Sequence, residues 1–245
     1  MAKASAAGHR VVLVCATRGE QGEPVEGVLN EGETLAERRV VELATSCEIL
    51  GAEPPRFLDY EDSGMIDEPE NENPASFWQA DHDEAVERFA TILREVDADV
   101  VTIYDNHGGY GHPDHIRVHT VGLAATQLVG TEHVFESTMN RDALNDMLEQ
   151  NKAEGGEINV DFDEEEVATF GTALVDLSFE IDVSAHIAQK KQAIIAHASQ
   201  VAEDSFFLSM PDEIFTAAFG SEVFNVPGVT NTGGPQAVDI LPGLN

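Results

Sequence analysis

Apolar and polar positions along this chain switch between two periods, and the switching predicts strand and helix in turn. The run Arg10-Val-Val-Leu-Val-Cys-Ala-Thr17 predicts a buried strand, within His9–Thr17, that empties into the polar stretch Arg18-Gly19-Glu20-Gln21-Gly22-Glu23. From about Glu33 to Leu50, Ala36, Val40, Leu43, Cys47 and Leu50 recur at helical spacing and predict one buried face. Gly51 is a natural helix stop, and Pro54-Pro55 forbids continuation. A short strand is expected at Arg56–Tyr60, then a loop rich in Asp, Ser, Gly, Pro and Asn from Glu61 to Ser76. A second helix, about Asp81 to Val96, turns Ala85, Phe89, Ile92 and Val96 inward, and Asp81 with Glu84 makes a capping pattern. Ala98–Tyr104 reads as the next strand, Asp114–Leu128 as the next helix and Thr131–Met139 as a further strand.

Residues Asn140–Glu166 hold a short helix and then an acidic stretch, Asp161–Glu166, expected as a surface loop or edge segment. Beyond it Leu174–Ile181 is strand-like, Ser184–Gln200 helical and the tail from Pro227 loop-rich. Strands alternating with helices predict an α/β fold of Rossmann-like type, a mainly parallel sheet with helices on both faces. At 245 residues a single domain is expected, with the part from about residue 140 the more divergent.

Charge narrows the partners. Lys and Arg total 13 against 46 Asp and Glu, a formal net charge of −33. Such a surface repels phosphate backbones and anionic headgroups, so neither nucleic acid nor an anionic membrane surface is expected as a partner. The acids are spread along the chain, which favours a solvated acidic surface serving solubility in a salt-rich or otherwise unusual cytoplasm. No apolar window is long enough to span a bilayer, and the N-terminus runs into the first strand without the h-region of a signal peptide. With only Cys15 and Cys47, both in apolar patterns, a reduced, cytoplasmic setting is the simplest expectation.

Chemistry concentrates where ligands collect in α/β sheets, at the carboxyl end of a strand. Tyr110-Gly111-His112-Pro113-Asp114-His115 offers two imidazoles, a carboxylate and a phenol after a Gly-Gly pair. His115, in the first helical turn, can point back to the mouth of the sheet as a neutral metal ligand. His112, outside the helix, can face a substrate. Asp114 can orient a neighbouring histidine or cap the helix. His119 lies one turn after His115, yet the intervening residues lack the glutamate of the zincin motif.

The same six residues resemble the second signature of the PIG-L/LmbE superfamily of zinc-dependent deacetylases, particularly the branch of the mycothiol-pathway deacetylase and mycothiol conjugate amidase. Ala16-Thr-Arg-Gly-Glu-Gln-Gly-Glu23, Glu37-Arg-Arg39 with Glu42, Asp62-Ser-Gly-Met65 and Ala80-Asp81 agree with it in order. The likeness continues more loosely through Lys190/Lys191, His197-Ala-Ser-Gln200 and Phe206-Phe-Leu208. It implies that His115 binds the metal, zinc, with iron accepted by the same ligand types, that His112 stabilises the tetrahedral transition state and that Tyr110 assists; Asp114 stands beside them as a catalytic candidate from its place in the loop. It further implies that Arg39, Asp81 and Glu23 contact the sugar. Plainer roles compete: a solvated arginine for Arg39, a helix cap for Asp81, a packed loop aromatic for Tyr110.

The resemblance also implies a first signature, His-Pro-Asp-Asp-Glu, carrying two further metal ligands and the general base. This motif does not occur in the 245 residues, and Ala2–His9 matches the latter half of the helix that should follow it. The expectation is that the first strand and this motif are missing from the sequence as given, through a start placed too late or a true truncation, and that the chain as given is only marginally soluble. Two functions follow. One is metal-dependent hydrolysis of an N-acyl bond on a small N-acetylglucosaminyl compound. The other is an inactive sugar-binding or interaction relative. Oligomeric state stays open, a homo-oligomer included.

Overall fold

The computed structural model describes residues 1–153 and 170–241; the acidic stretch Asp161–Glu166 lies outside the described residues. A short helix α1 (Ala2–Ala6) precedes strand β1 (Val14–Cys15), helix α2 (Leu35–Ile49), β2 (Arg56–Phe57), α3 (His82–Val96) and β3 (Val100–Tyr104). A tight turn at Gly108–Gly111, α4, leads into α5 (Pro113–Val129), then β4 (His133–Thr138), α6 (Arg141–Ala153), β5 (Phe179–Asp182), α7 (Ile187–Ile195), α8 (Asp212–Phe219) and β6 (Ser221–Asn225).

The expected α/β class holds, but the sheet is mixed. β1 and β2 form a two-stranded parallel pair, and the second sheet has the order β3-β4-β6-β5. Within it β3 and β4 run parallel, whereas β6 is antiparallel to both β4 and β5. The parallel expectation came from strand-helix-strand spacing, and that spacing ends at β4. β6 follows α8 directly through Gly220 and runs back along β4, a return that no helix-length pattern announces.

Several predicted elements shrink. The strand expected over His9–Thr17 pairs as a strand only at Val14–Cys15, and residues 174–176 form a 3-10 turn before β5. Helix α2 starts where the sequence suggested, fixed by a capping box in which the Thr34 side chain accepts from Glu37 N–H and the Glu37 carboxylate accepts from Thr34 N–H. Its buried residues are Leu35, Glu42, Ser46 and Cys47. Of the five residues expected to form its buried face, only Cys47 is fully buried. The polar pair Glu42 and Ser46 goes inside because partners wait for it, as described below.

One core cluster joins both sheets: Ala16, Leu58 and Phe77 pack with Ala85, Ala90 and Leu93 of α3, Val101 and Ile103 of β3, and Val121 and Ala125 of α5. Helix α5 approaches β3 closely at Gly122, where an added Cβ would fall 2.6 Å from Ile103 Cγ2. No described helix is long and apolar enough to cross a membrane.

Candidate active site

Three chain segments converge at the carboxyl end of β3. Asp105 follows the strand, is 2% exposed, and fastens the next loop. Its Oδ1 accepts the N–H groups of His107 and Gly109 (3.1 and 2.9 Å), and its Oδ2 accepts the Thr138 hydroxyl at 2.6 Å. The loop folds tightly because Gly108, Gly109 and Gly111 all have φ between 65° and 92°, a region costly for residues with a Cβ. At Gly108 an added Cβ would also meet Ile116 N at 2.7 Å.

His112 ends the loop and caps α5: its Nδ1 accepts the Asp114 N–H at 3.1 Å, and Pro113 occupies the first helical position. With Nδ1 used as an acceptor, the ring carries its proton on Nε2, which lies 3.8 Å from Asp62 Oδ1. The Asp114 carboxylate turns to Ser63. It is buried and accepts the hydroxyl and the N–H of Ser63. Asp62 is held from the loop after β1: its N–H donates to Glu20 Oε1 at 3.1 Å, its Oδ2 accepts Gln21 N–H at 3.3 Å and its Oδ1 accepts Gly64 N–H at 3.1 Å.

Ligand atoms of Asp62, His112 and Asp114 all lie within 4.8 Å of one another. Burial, reinforced by the neighbouring Asp62 charge and opposed by the Ser63 hydrogen bonds, pushes the Asp114 carboxyl up to about 7. Burial also lowers the His112 pKa, against the pull of Asp62.

His115 stands beside this trio, its ring centroid 4.9 Å from that of His112. Its Nδ1 meets the Gly108 carbonyl at 3.1 Å, and its ring stacks on Tyr104 with centroids 4.0 Å apart. Burial, with His112 adding to it, pushes its pKa down to about 4. Tyr110 meets His115 edge-on at 5.1 Å, is 37% exposed and forms the rim of the site.

Arg39 of α2 donates from Nη1 to the Gly19 carbonyl at 2.7 Å and to Gln200 Oε1 at 3.3 Å. Burial raises the Tyr110 pKa and lowers that of His112; the Arg39 charge opposes the rise at Tyr110 and adds to the fall at His112. Asp81 fulfils its capping expectation, Oδ1 accepting Glu84 N–H at 3.0 Å. Glu23 is exposed on the loop after β1. Asp62 is the residue that sequence reasoning passed over as a ligand; its signal was a carboxylate in a stretch already matched to the family, Asp62-Ser-Gly-Met65.

The donor set fits a divalent cation. Two buried carboxylates in direct contact need a shared proton or a cation between them. A histidine whose Nδ1–H is given to a backbone carbonyl presents its other nitrogen as a neutral donor, the arrangement of metal-ligating imidazoles. His115 has that arrangement through Gly108, and its depressed pKa keeps it unprotonated near neutrality.

The family model described as "PIG-L: GlcNAc-PI de-N-acetylase" matches residues 1–126. The chain belongs to the PIG-L family. A 1D-myo-inositol 2-acetamido-2-deoxy-alpha-D-glucopyranoside deacetylase of Thermobifida fusca is 38% identical over 222 residues, covering 82% of this chain and 77% of that protein. The structure of N,N'-diacetylchitobiose deacetylase from Pyrococcus horikoshii superposes with a TM-score of 0.56 at 18% identity, over 93% of this chain and 76% of that one. A 4-carboxy-2-hydroxymuconate hydratase from Pseudomonas putida has the same fold at a TM-score of 0.52 and 18% identity, over 94% and 90%. Since this PIG-L fold also occurs in a hydratase, the fold alone does not choose the reaction.

Proposed function

We propose that this PIG-L protein removes the acetyl group from an N-acetylglucosaminyl compound, of the inositol-linked kind named for its relatives, by metal-dependent hydrolysis. The observation that carries the reading is the convergence of Asp62, His112 and Asp114 within 4.8 Å, with the Nδ1-anchored His115 alongside. Asp62, Asp114 and His115 would hold zinc, or iron through the same donors, which leaves the Nε2–H of His112 for the substrate. A bound metal of this kind polarises the amide carbonyl and makes water more acidic.

The remaining work falls to the chain. His112 carries its proton on Nε2 and directs it into the site, where it meets the oxygen of the developing oxyanion and then the leaving amine. Asp62 and Asp114 are the carboxylates within reach of water there. Tyr110, at the rim, adds a hydroxyl beside His112, and Arg39 holds the sugar hydroxyls with the guanidinium donors not spent on Gly19 and Gln200. Water adds to the acyl carbon, the C–N bond breaks, and acetate and a free amine leave. Asp81 and Glu23 are further sugar contacts under this reading, Asp81 in addition to its capping.

The test is acetate release from 1D-myo-inositol 2-acetamido-2-deoxy-alpha-D-glucopyranoside by the purified protein, with zinc or ferrous iron added or chelated. Release that needs the metal and disappears in Asp62→Ala is the expected result. Binding of the compound with no release under either metal would leave the non-catalytic sugar-binding alternative in its place.

A further inference from the structure

We infer that Glu42, a buried carboxylate outside the catalytic cluster, is the positioning residue that aims Arg39. The inference rests on the reading that Arg39 holds the substrate sugar.

Glu42 lies on α2 one turn beyond Arg39 and is 6% exposed. Both of its oxygens serve one residue: Oε1 accepts the Ser199 N–H at 2.9 Å and Oε2 accepts the Ser199 hydroxyl at 2.6 Å. Ser199 is fully buried, so this two-point clasp fixes the turn that follows α7. Buried charge is tolerated only where strong hydrogen bonds replace water. Among the described residues no Lys or Arg lies within ion-pair distance of Glu42, so Ser199 is its principal compensation.

The clasp continues toward the site. The Ser199 carbonyl accepts Val25 N–H at 2.8 Å, tying down the loop after β1, and accepts Gln200 Nε2 at 3.0 Å. The amide orientation of Gln200 is thereby set, with its Oε1 turned to Arg39 Nη1. Arg39 itself has no carboxylate within ion-pair distance among the described residues, although acids outnumber bases 46 to 13. It is held by two neutral oxygens, Gly19 O and Gln200 Oε1, which orient a guanidinium without neutralising it. Glu42 thus acts on Arg39 through Ser199 and Gln200, and touches neither the substrate nor the metal ligands.

The experiment measures calorimetric affinity for 1D-myo-inositol 2-acetamido-2-deoxy-alpha-D-glucopyranoside, together with KM and kcat wherever acetate is released, in the zinc-loaded protein. Glu42→Ala is expected to weaken binding about tenfold and raise KM to match, with kcat within about twofold and zinc content unchanged; tenfold corresponds to about 1.4 kcal/mol. Glu42→Gln, whose amide can accept from Ser199 N–H and donate to Ser199 Oγ, restores most of the affinity and also serves if the alanine variant does not fold. In an Arg39→Ala background, Glu42→Ala costs little more, because the effect passes through Arg39. Additive losses in the double variant, or a fall in kcat with KM unchanged, overturn the inference. A wild-type protein that binds the compound without releasing acetate refutes the deacetylase reading and leaves the Glu42 inference to the affinity cycle. A wild type that does not bind the compound refutes both.

Discussion

The rings of Tyr104 and His115 stack face to face, 4.0 Å between centroids and 9° between planes. The contact joins the last residue of β3 to the first turn of α5 and withdraws His115 from water. His115 therefore resists protonation in the folded chain, with a pKa of about 4 against an ordinary 6.5.

The acid limb of stability follows from that sign. A base whose folded pKa is depressed contributes stability that is complete above 6.5 and is lost as pH falls through about 4. Asp114 acts oppositely: its folded pKa of about 7 exceeds the ordinary 3.8, so its contribution is present below 3.8 and is lost as pH rises through about 7. In thermal melts of the metal-free protein, His115→Gln should flatten the fall in Tm between pH 6.5 and 4, whereas Asp114→Asn should remove a loss between pH 4 and 7. Melting curves for the two variants that parallel wild type would show that neither group is as buried as the structure has it.

Ser63 is the second point of control, because it supplies both hydrogen bonds that hold the Asp114 carboxylate. Ser63→Ala removes the hydroxyl and leaves part of a buried carboxylate unsatisfied, a loss of about 1–3 kcal/mol. Chemical denaturation of the metal-free variant should show that loss. Unchanged stability would mean that water takes over the bond.

Gly122 tests the seat of the helix that carries His115 and is capped by His112. Gly122→Ala gains helix propensity worth up to about 1 kcal/mol but drives a methyl to 2.6 Å from Ile103 Cγ2. Overpacking of this kind costs about 1–3 kcal/mol, so the variant is expected to be less stable than wild type. A rise in denaturation midpoint would place α5 farther from β3.

Salt dependence should be strong. Many basic residues are already paired, as in Arg10–Glu53 and Arg56–Glu95, and the excess of carboxylates repels itself. Raising ionic strength from 0.1 to 1 M shortens the screening length from about 10 Å to about 3 Å. The Tm should climb by about 2–4 °C for each kcal/mol of repulsion relieved. A Tm independent of salt would indicate that the acids are too far apart to interact.

The sequence by itself determined helices α2, α3 and α5 and the chemistry of the loop after β3. Thr34 and Glu37 cap α2, Asp81 caps α3, and Gly108-Gly109 and Gly111 mark a turn in a backbone region that favours glycine; all of these are local, decided by residues a few positions apart. For the same reason Tyr110, His112, Asp114 and His115 were legible as a set. The tertiary structure alone decided what is not local. It folded β6 back antiparallel along β4, because strand direction depends on which edge is free when the chain returns. It brought Asp62 to His112 across fifty residues, tied Asp114 to Ser63, and drew the polar Glu42 inward to meet Ser199, 157 residues away. Burying a carboxylate violates the apolar pattern of a helix, and its reason appears only when the distant partner that satisfies it is in place.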